Sequence, residues 1–183
     1  MSSGYTYRRL NKDDAVCLLV DHQSGLISLV QDYAPNELKN NELALAALDK
    51  YFKLPTILTT SFEDGPNGPM VPEIREMFPD APYIPRPGQI NAWDNADFVK
   101  AIEKTGRRQL IIAGVVTDVC VAFPALSAIE AGYDVYAVVD ASGTFNRDVR
   151  DGALLRMTQA GVQSMNWFSV ACELHRDWRN DIE

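Results

Sequence analysis

Three residues that could perform chemistry together stand at or near the ends of apolar stretches: Asp21, Arg86 and Cys120. Asp21 ends the apolar run 15–21, and Cys120 follows the run 109–114. A thiol can attack a carbonyl carbon, a carboxylate can take its proton, and a guanidinium can hold the charge of a carboxylate or a substrate. Each residue also has a simpler interpretation: Cys120 as a small buried side chain, Asp21 as an acid that binds loop amides, and Arg86 as a surface arginine in a Pro-Gly turn.

The neighbours of Cys120 predict the start of a helix. Thr117 and Asp118 are both candidate N-caps, and either would place Cys120 in the first helical turn. Unpaired N–H groups and the helix dipole stabilise an anion there, so the sequence predicts a thiol pKa below its ordinary value. Of the other thiols, Cys17 is predicted to be core and Cys172 to pack within a helix. No pair of cysteines or histidines has zinc-ligand spacing, so no metal is expected.

Strands and helices are predicted to alternate along the whole chain. Apolar runs predict strands at 15–21, 55–60, 83–84, 109–114, 134–139 and 162–166, and helical spacing predicts helices at 38–52, 96–105, 119–131, 149–160 and 170–178. This alternation indicates right-handed βαβ units and an α/β fold with a mainly parallel sheet. Ligands bind outside the carboxyl ends of such strands, so Asp21, Arg86 and Cys120 should meet at one edge. Residues 1–183 are expected to form a single domain, since no linker or repeat interrupts them.

Composition narrows the possible partners. Lys and Arg total 17 against 25 Asp and Glu, a net charge of −8, and no basic stretch is interleaved with aromatics, which argues against nucleic acid. No apolar stretch is long enough to cross a membrane, and the first ten residues lack the apolar core of a signal peptide. A cytoplasmic location is therefore expected. The G-x-G-x-x-G and phosphate-loop motifs are absent, so no cofactor is expected. The G-x-S-x-G nucleophile elbow is absent too, which leaves enzymes with another nucleophile or with none.

Three segments carry a resemblance to a known family. They are 18–23 (LLVDHQ), 84–93 (IPRPGQINAW) and 112–121 (IAGVVTDVCV), and they resemble the isochorismatase-like cysteine hydrolases, above all the YcaC branch. The resemblance runs over nearly the whole chain and implies a three-layer αβα sandwich around a six-stranded parallel sheet. It also implies an Asp–Lys–Cys triad, in which Asp21 and Cys120 match the acid and the nucleophile. Arg86 stands at the lysine position, where it can stabilise charge but cannot pass on a proton.

The same resemblance implies further features. Family members commonly have a cis peptide bond before the cysteine, here Val115–Val116, and the N–H groups of Val116 and Cys120 would then hold the substrate oxygen. Zinc-binding members place histidines after the second strand, where this chain has 59–63 (TTSFE), so the site should hold no metal. Family substrates are small amides and the vinyl ether isochorismate. A homo-oligomer, with an octamer expected, is implied as well.

The leading hypothesis is a cysteine hydrolase that cleaves the C–N bond of a small amide through a thioester, using Cys120, Asp21 and Arg86. The residues expected to bind the substrate are Val116, Gln23, Phe62, Ile90 and Trp93. The first alternative is a non-catalytic, ring-forming protein that binds a small ligand in a degenerate site. The second is a redox sensor with a reactive Cys120, although no resolving cysteine stands near it.

Overall fold

Six parallel strands form one sheet at the centre of the protein, in a computed structural model that describes residues 7–180. They are β1 (Ala15–Val20), β2 (Thr56–Ser61), β3 (Tyr83–Arg86), β4 (Gln109–Gly114), β5 (Asp134–Val138) and β6 (Gln163–Met165). Their spatial order is β3-β2-β1-β4-β5-β6, and every neighbouring pair is parallel. Residues 1–6 and 181–183 of the expected 1–183 domain lie outside the described residues.

Helices cover both faces of this sheet. They are α1 (Ser24–Ile27), α2 (Pro35–Tyr51), α3 (Pro72–Met77), α4 (Ala96–Lys104), α5 (Ala122–Glu130), α6 (Arg147–Gln159) and α7 (Trp167–His175). The side chains of α4, α5 and α6 share one hydrophobic cluster, and those of α2, α3 and α7 share another. The predicted three-layer αβα sandwich is confirmed. Within residues 7–180, no helix combines the length and apolarity that a membrane span requires.

The central strand β1 shows why the sheet lies inside. Val16, Leu18 and Val20 belong to one cluster, while Cys17 and Leu19 belong to the other. All six residues of β1 are buried, as expected of a strand covered on both faces. Burying a leucine as fully as Leu18 stabilises the fold by about 1.5–3 kcal/mol.

Some helix boundaries differ from the sequence prediction. Helix α2 begins at Pro35, because proline suits a first helical position, and α3 begins with Pro72 in the same way and was not predicted. The predicted helix 119–131 is two elements, a π-helical turn at Thr117–Val121 followed by α5. The predicted helix 170–178 lies at Trp167–His175, since the Asn166 side chain caps its start by accepting a hydrogen bond from the Ser169 amide.

The strand order reverses between β1 and β4, and in open α/β sheets such a reversal forms a crevice at the carboxyl ends of the strands. The chain continues from β1 towards β2 on one side and later returns to place β4 on the other side. Ligands bind at such a switch point in open α/β sheets. The two strands approach closely at its floor: a Cβ atom at Gly114 would lie 2.3 Å from the Val20 carbonyl oxygen, so only glycine fits there.

Candidate active site

Asp21, Arg86 and Cys120 meet at this crevice. Asp21 directly follows β1, Arg86 ends β3, and Cys120 lies in the π-helical turn after β4. The Arg86 Nη2 atom donates a hydrogen bond to Asp21 Oδ1, and both side chains are fully buried. The Cys120 thiol interacts with the same carboxylate, and Cys120 is 8% exposed. The structure therefore brings together the three side chains that the sequence analysis singled out.

Asp21 is held in an unusual backbone conformation. Its φ angle of +56° lies in the left-handed region, which costs a residue with a Cβ atom roughly 1–3 kcal/mol. The Asp21 amide donates to the Thr59 carbonyl at 2.9 Å, and its own carbonyl accepts from the Gln23 amide at 2.7 Å. These bonds hold the turn in which β1 ends and fix the Asp21 carboxylate at the crevice.

Arg86 is bound almost entirely by the protein. Its Nε donates to Thr59 Oγ1 at 3.0 Å, and its Nη1 donates to the carbonyl oxygens of Gln89 and Ile90. The Thr59 hydroxyl in turn donates to the Ile84 carbonyl at 2.7 Å. The residue is 1% exposed, so the interpretation as a surface arginine is wrong. Arg86 instead joins Asp21 to the loop that follows β3.

The predicted lowering of the Cys120 pKa is wrong. Burial raises the pKa of this thiol well above its ordinary value, and the neighbouring Asp21 carboxylate adds to the effect, while Val116 and Arg86 oppose it only in part. The expected N-caps are also absent, since neither Thr117 nor Asp118 caps the turn. Cys120 therefore rests as a thiol and needs a base to become a nucleophile.

Asp21 has the properties of such a base. Burial raises the pKa of its carboxyl above the ordinary value, and the charge and hydrogen bond of Arg86 counteract this rise. Its Oδ1 accepts from Arg86, whereas Oδ2 is buried and accepts from no N–H or O–H group of the described residues. The carboxylate thus keeps one oxygen for a proton beside the Cys120 thiol.

Of the two backbone amides expected to hold a substrate oxygen, those of Val116 and Cys120, one is hydrogen-bonded within residues 7–180 and the other is not. The peptide bond Val115–Val116 is cis, as the family resemblance implied. The Val116 N–H has no partner among the described residues, which suits it to a substrate oxygen. The Cys120 N–H, however, donates to the Val116 carbonyl at 2.8 Å and is not free.

Gln23 and Trp93 have contacts with the protein itself. The Gln23 amide nitrogen donates to the carbonyls of Ser61 and Gly68, and its oxygen accepts from the Ser61 amide at 2.8 Å. The Gln23 side chain thus links the end of β2 to the loop that follows it. The Trp93 ring packs edge-on against Phe98 and Tyr133, with centroid distances of 6.5 and 5.7 Å.

The other predicted pocket residues lie on the loops around the crevice. Phe62 follows β2 with a φ angle of +50° and is 51% exposed, and Ile90, in the loop after β3, is 64% exposed. Leu29 and Phe145, from the segments after β1 and β5, are also exposed. We call these four side chains the apolar rim: Leu29, Phe62, Ile90 and Phe145.

Thr59 was missed by sequence reasoning. A threonine inside the strand segment 56–61 (TILTTS) has the ordinary side chain of a β-strand, and nothing in its spacing indicates a partner. Its place beside Arg86 follows from the register of β2 and β3, which pairs Thr59 with Ile84. In residues 7–180 we find no group of three or more His, Cys, Asp or Glu side chains placed to hold a metal ion.

Comparison with known proteins identifies the family. The isochorismatase domain matches residues 15–168. The probable hydrolase YcaC of Escherichia coli K12 is 71% identical over 177 residues, which cover 97% of this chain and 85% of that protein. The structure of Pseudomonas aeruginosa YcaC, described with hexane-2,5-diol and covalent acrylamide, superposes with a TM-score of 0.97 at 72% identity, covering 98% of this chain and 89% of that one.

A second solved structure, that of the E. coli relative, supports the same assignment. The structure of the ycaC gene product from E. coli, described as an octameric hydrolase of unknown specificity, has a TM-score of 0.95 at 71% identity, covering 97% of this chain and 87% of that one. The domain match spans most of the chain, and both identities extend over nearly all of it. The chain therefore belongs to the isochorismatase family of hydrolases.

Proposed function

We propose that this protein is a cysteine hydrolase that cleaves the C–N bond of a small amide through a thioester intermediate. The observation that carries the proposal is the contact between the Cys120 thiol and the Asp21 carboxylate, at a crevice where the Val116 N–H is unpaired. A nucleophile, a base and an oxyanion donor are the groups that acyl transfer requires.

Asp21 acts as a general base in the first step. The Cys120 proton passes to Asp21 Oδ2 as the sulfur attacks the carbonyl carbon of the substrate. Because the Cys120 thiol is protonated at rest and the pKa of Asp21 is itself raised, the transfer accompanies the attack. General-base catalysis of this kind typically accelerates a reaction by about 10²–10⁴-fold.

The negative charge that forms on the carbonyl oxygen is held by the Val116 N–H. The tetrahedral intermediate then collapses, the C–N bond breaks, and Asp21 returns the proton to the leaving amine or ammonia. Water attacks the resulting thioester while Asp21 accepts its proton. The carboxylic acid leaves, and the sulfur takes that proton back as the Cys120 thiol.

Arg86 keeps Asp21 ionised and in place. A guanidinium retains its proton, so Arg86 takes no part in the proton transfers. Its hydrogen bond to Oδ1 leaves Oδ2 for the Cys120 proton. In this proposal Gln23 and Trp93 position the surrounding loops, and Phe62 and Ile90 contact the substrate.

A relative supports a reactive nucleophile in this site. The P. aeruginosa YcaC structure is described with covalent acrylamide, which is both a small amide and an electrophile that thiolates attack. We expect Cys120 to be the residue of this chain that reacts with acrylamide.

The decisive experiment measures ammonia release from a panel of small primary amides. Wild type should hydrolyse at least one of them, and Cys120→Ala should not, while its circular dichroism spectrum stays that of the folded protein. Cys172→Ala is the matched control, because this half-buried thiol lies on α7. Turnover retained by Cys120→Ala would contradict the mechanism.

A non-catalytic binding protein is the second candidate function. It is favoured by one observation, the raised pKa of the Cys120 thiol, which keeps a resting nucleophile protonated. A binding protein would hold panel amides in equilibrium dialysis without releasing ammonia from any of them.

We also propose that the chain assembles with copies of itself. The support is the octameric state described for the ycaC gene product of E. coli, which is 71% identical. Light scattering coupled to gel filtration should give a mass several times the 20.4 kDa of one chain, and a monomer would contradict the proposal.

A further inference from the structure

The loops around the crevice contain acidic residues and no Lys or Arg of their own, although Arg150 of α6 packs on one of them, 5.6 Å from the centre of the Tyr33 ring and close to Asp32. Five loops follow β1 to β5 at the carboxyl edge of the sheet, namely residues 21–34, 62–71, 87–95, 115–121 and 139–146. None of the chain's 17 Lys and Arg residues stands in them. The acidic residues in these loops are Asp21, Asp32, Glu63, Asp64, Asp94, Asp118 and Asp140. The histidine of these loops, His22, has its pKa lowered to about 4 by burial, and it is uncharged at neutral pH.

The guanidinium at this edge is already engaged. Arginine has five N–H donors, and Arg86 gives four of them to Thr59, Gln89, Ile90 and Asp21. The remaining N–H is on Nη2, whose other hydrogen is bound by the Asp21 carboxylate. An anion at that position would come within reach of Asp21, and the cation it met would already be paired.

The apolar rim also disfavours the entry of an anion. Leu29, Phe62, Ile90 and Phe145 expose between 41% and 64% of their surface on the same loops. A carboxylate that entered among these side chains would lose part of its hydration, and these loops would offer it no cation to pair with. A neutral amide does not carry that penalty, and its charge appears only during the reaction, where the Val116 N–H can hold it.

We propose that the site selects uncharged substrates and excludes those with a carboxylate or phosphate close to the reacting carbonyl. This inference rests on the proposed function, since it concerns the access of substrates to the Cys120 thiol. It predicts that isochorismate, a dicarboxylate, is not the substrate of this chain, and that neutral primary or secondary amides with an apolar group are.

The test compares two alkylating reagents that differ in charge. Iodoacetamide is neutral and iodoacetate is an anion; with both, the cysteine sulfur displaces iodide, an S–C bond forms as the C–I bond breaks, and the thiol proton is lost. Both reagents react with the same thiolate, so the fraction of Cys120 that is ionised affects the two rates equally. The ratio of the rates is therefore independent of the pKa of Cys120. Peptide mapping reads the rates at Cys120 alone, first in the folded protein and then in urea, where the same residue serves as its own reference.

The folded protein should prefer iodoacetamide by at least about tenfold more than the unfolded chain does. That factor corresponds to a penalty of about 1.4 kcal/mol on the anion. A ratio equal to or below that of the unfolded chain would overturn the charge selection while leaving Cys120 a reactive residue. If neither reagent modified Cys120 in the folded protein, the proposed function would fail and the inference with it.

A cation added to the apolar rim provides a second readout. Ile90→Lys should raise the iodoacetate rate at Cys120 relative to the iodoacetamide rate. Tyr51→Lys is the matched control, because Tyr51 is similarly exposed but lies at the opposite edge of the sheet. It ends α2 and stands beside Lys12, which precedes β1. An equal change in both variants would show that net charge, and not the loops around Cys120, decides the ratio, and would overturn the inference.

Discussion

Residues 7–180 contain two buried pairs of a cysteine and an aspartate, and one of the two stands at the switch point of the sheet. Cys120 and Asp21 lie at the carboxyl edge of the sheet, whereas Cys17 of β1 and Asp49 of α2 lie between strand and helix. In both pairs, burial and the neighbouring carboxyl raise the pKa of the thiol well above its ordinary value. The residue types are therefore the same, and the surroundings decide their chemistry.

The difference lies in the carboxyl groups. Arg86 binds Asp21, but no N–H or O–H group of the described residues donates to either oxygen of Asp49. Burial accordingly raises the pKa of Asp49 to about 8, and the group is protonated at neutral pH and cannot act as a base. Cys17 and Asp49 are also both fully buried. A thiol beside an acid becomes a candidate site only where a cation keeps the acid ionised and solvent-facing loops admit a substrate.

Replacing the two cysteines should separate the pairs most clearly. Cys120→Ala should lower ammonia release by at least about a thousandfold, because it removes the nucleophile. Cys17→Ala should leave the rate unchanged and lower the free energy of unfolding by roughly 1 kcal/mol, since it removes only a buried sulfur. Steady-state kinetics and urea unfolding measure the two effects. An equal loss of activity in both variants would mean that Cys120 acts through the fold.

Replacing the two acids should give the next largest contrast. Asp21→Asn should lower turnover by about 10²–10⁴-fold, because the amide cannot take the Cys120 proton. Asp49→Asn should leave turnover unchanged. The kinetic constants of both variants, at a pH where each is folded, test the expectation. A fully active Asp21→Asn variant would remove Asp21 from the mechanism.

The change of the unfolding free energy with pH should contain a contribution from the buried, protonated Asp49. Because its folded pKa of about 8 is above the ordinary value of 3.8, the folded protein keeps a proton that the unfolded chain releases. Its contribution to stability is therefore complete below pH 3.8 and declines as the pH rises to about 8, by at most about 1.4 kcal/mol per pH unit. Asp49→Asn should lower this slope without abolishing it, as measured by urea unfolding at several pH values, because burial also raises the pKa of Glu42 to about 8 and that contribution remains.

A control on an exposed acid accompanies that measurement. Asp97→Asn changes a side chain that is 80% exposed in the first turn of α4, so the slope should stay as in wild type. If Asp49→Asn and Asp97→Asn behaved alike, Asp49 would not be protonated in the fold.

Thr59 should show the smallest effect. Thr59→Val removes the acceptor of Arg86 Nε and should lower turnover about tenfold, which corresponds to one lost hydrogen bond to a charged group. Thr60→Val is the matched control, because its hydroxyl contacts Tyr83 and not Arg86.

Measuring Thr59→Val again in the Arg86→Lys variant distinguishes a positioning role of Thr59 from a merely structural one. Lysine has no Nε–H, so Thr59→Val should have little further effect on turnover once Arg86→Lys is present. Equal losses in both backgrounds would show that Thr59 only supports the strand.

Much of the fold followed from local patterns. The run 109–114 was predicted with the bounds that β4 has, because continuous apolar residues indicate a strand covered on both faces. Helix α3 was missed, since six residues are too few to show a helical period. The residues of the turn at Thr117–Val121 predict the start of an α-helix, because a π-helical turn differs from an α-helix in its hydrogen bonds and not in its residue types.

By itself, the sequence determined which side chains stand at strand ends and that the fold is an alternating α/β sheet. Tertiary structure alone decided their electrostatics. Burial raised the pKa of the Cys120 thiol where the local pattern predicted a fall, because desolvation of a charge depends on all the elements packed around it. In the same way, the bonds that occupy Arg86 come from β2 and from the loop after β3, and no spacing along the chain encodes that encounter.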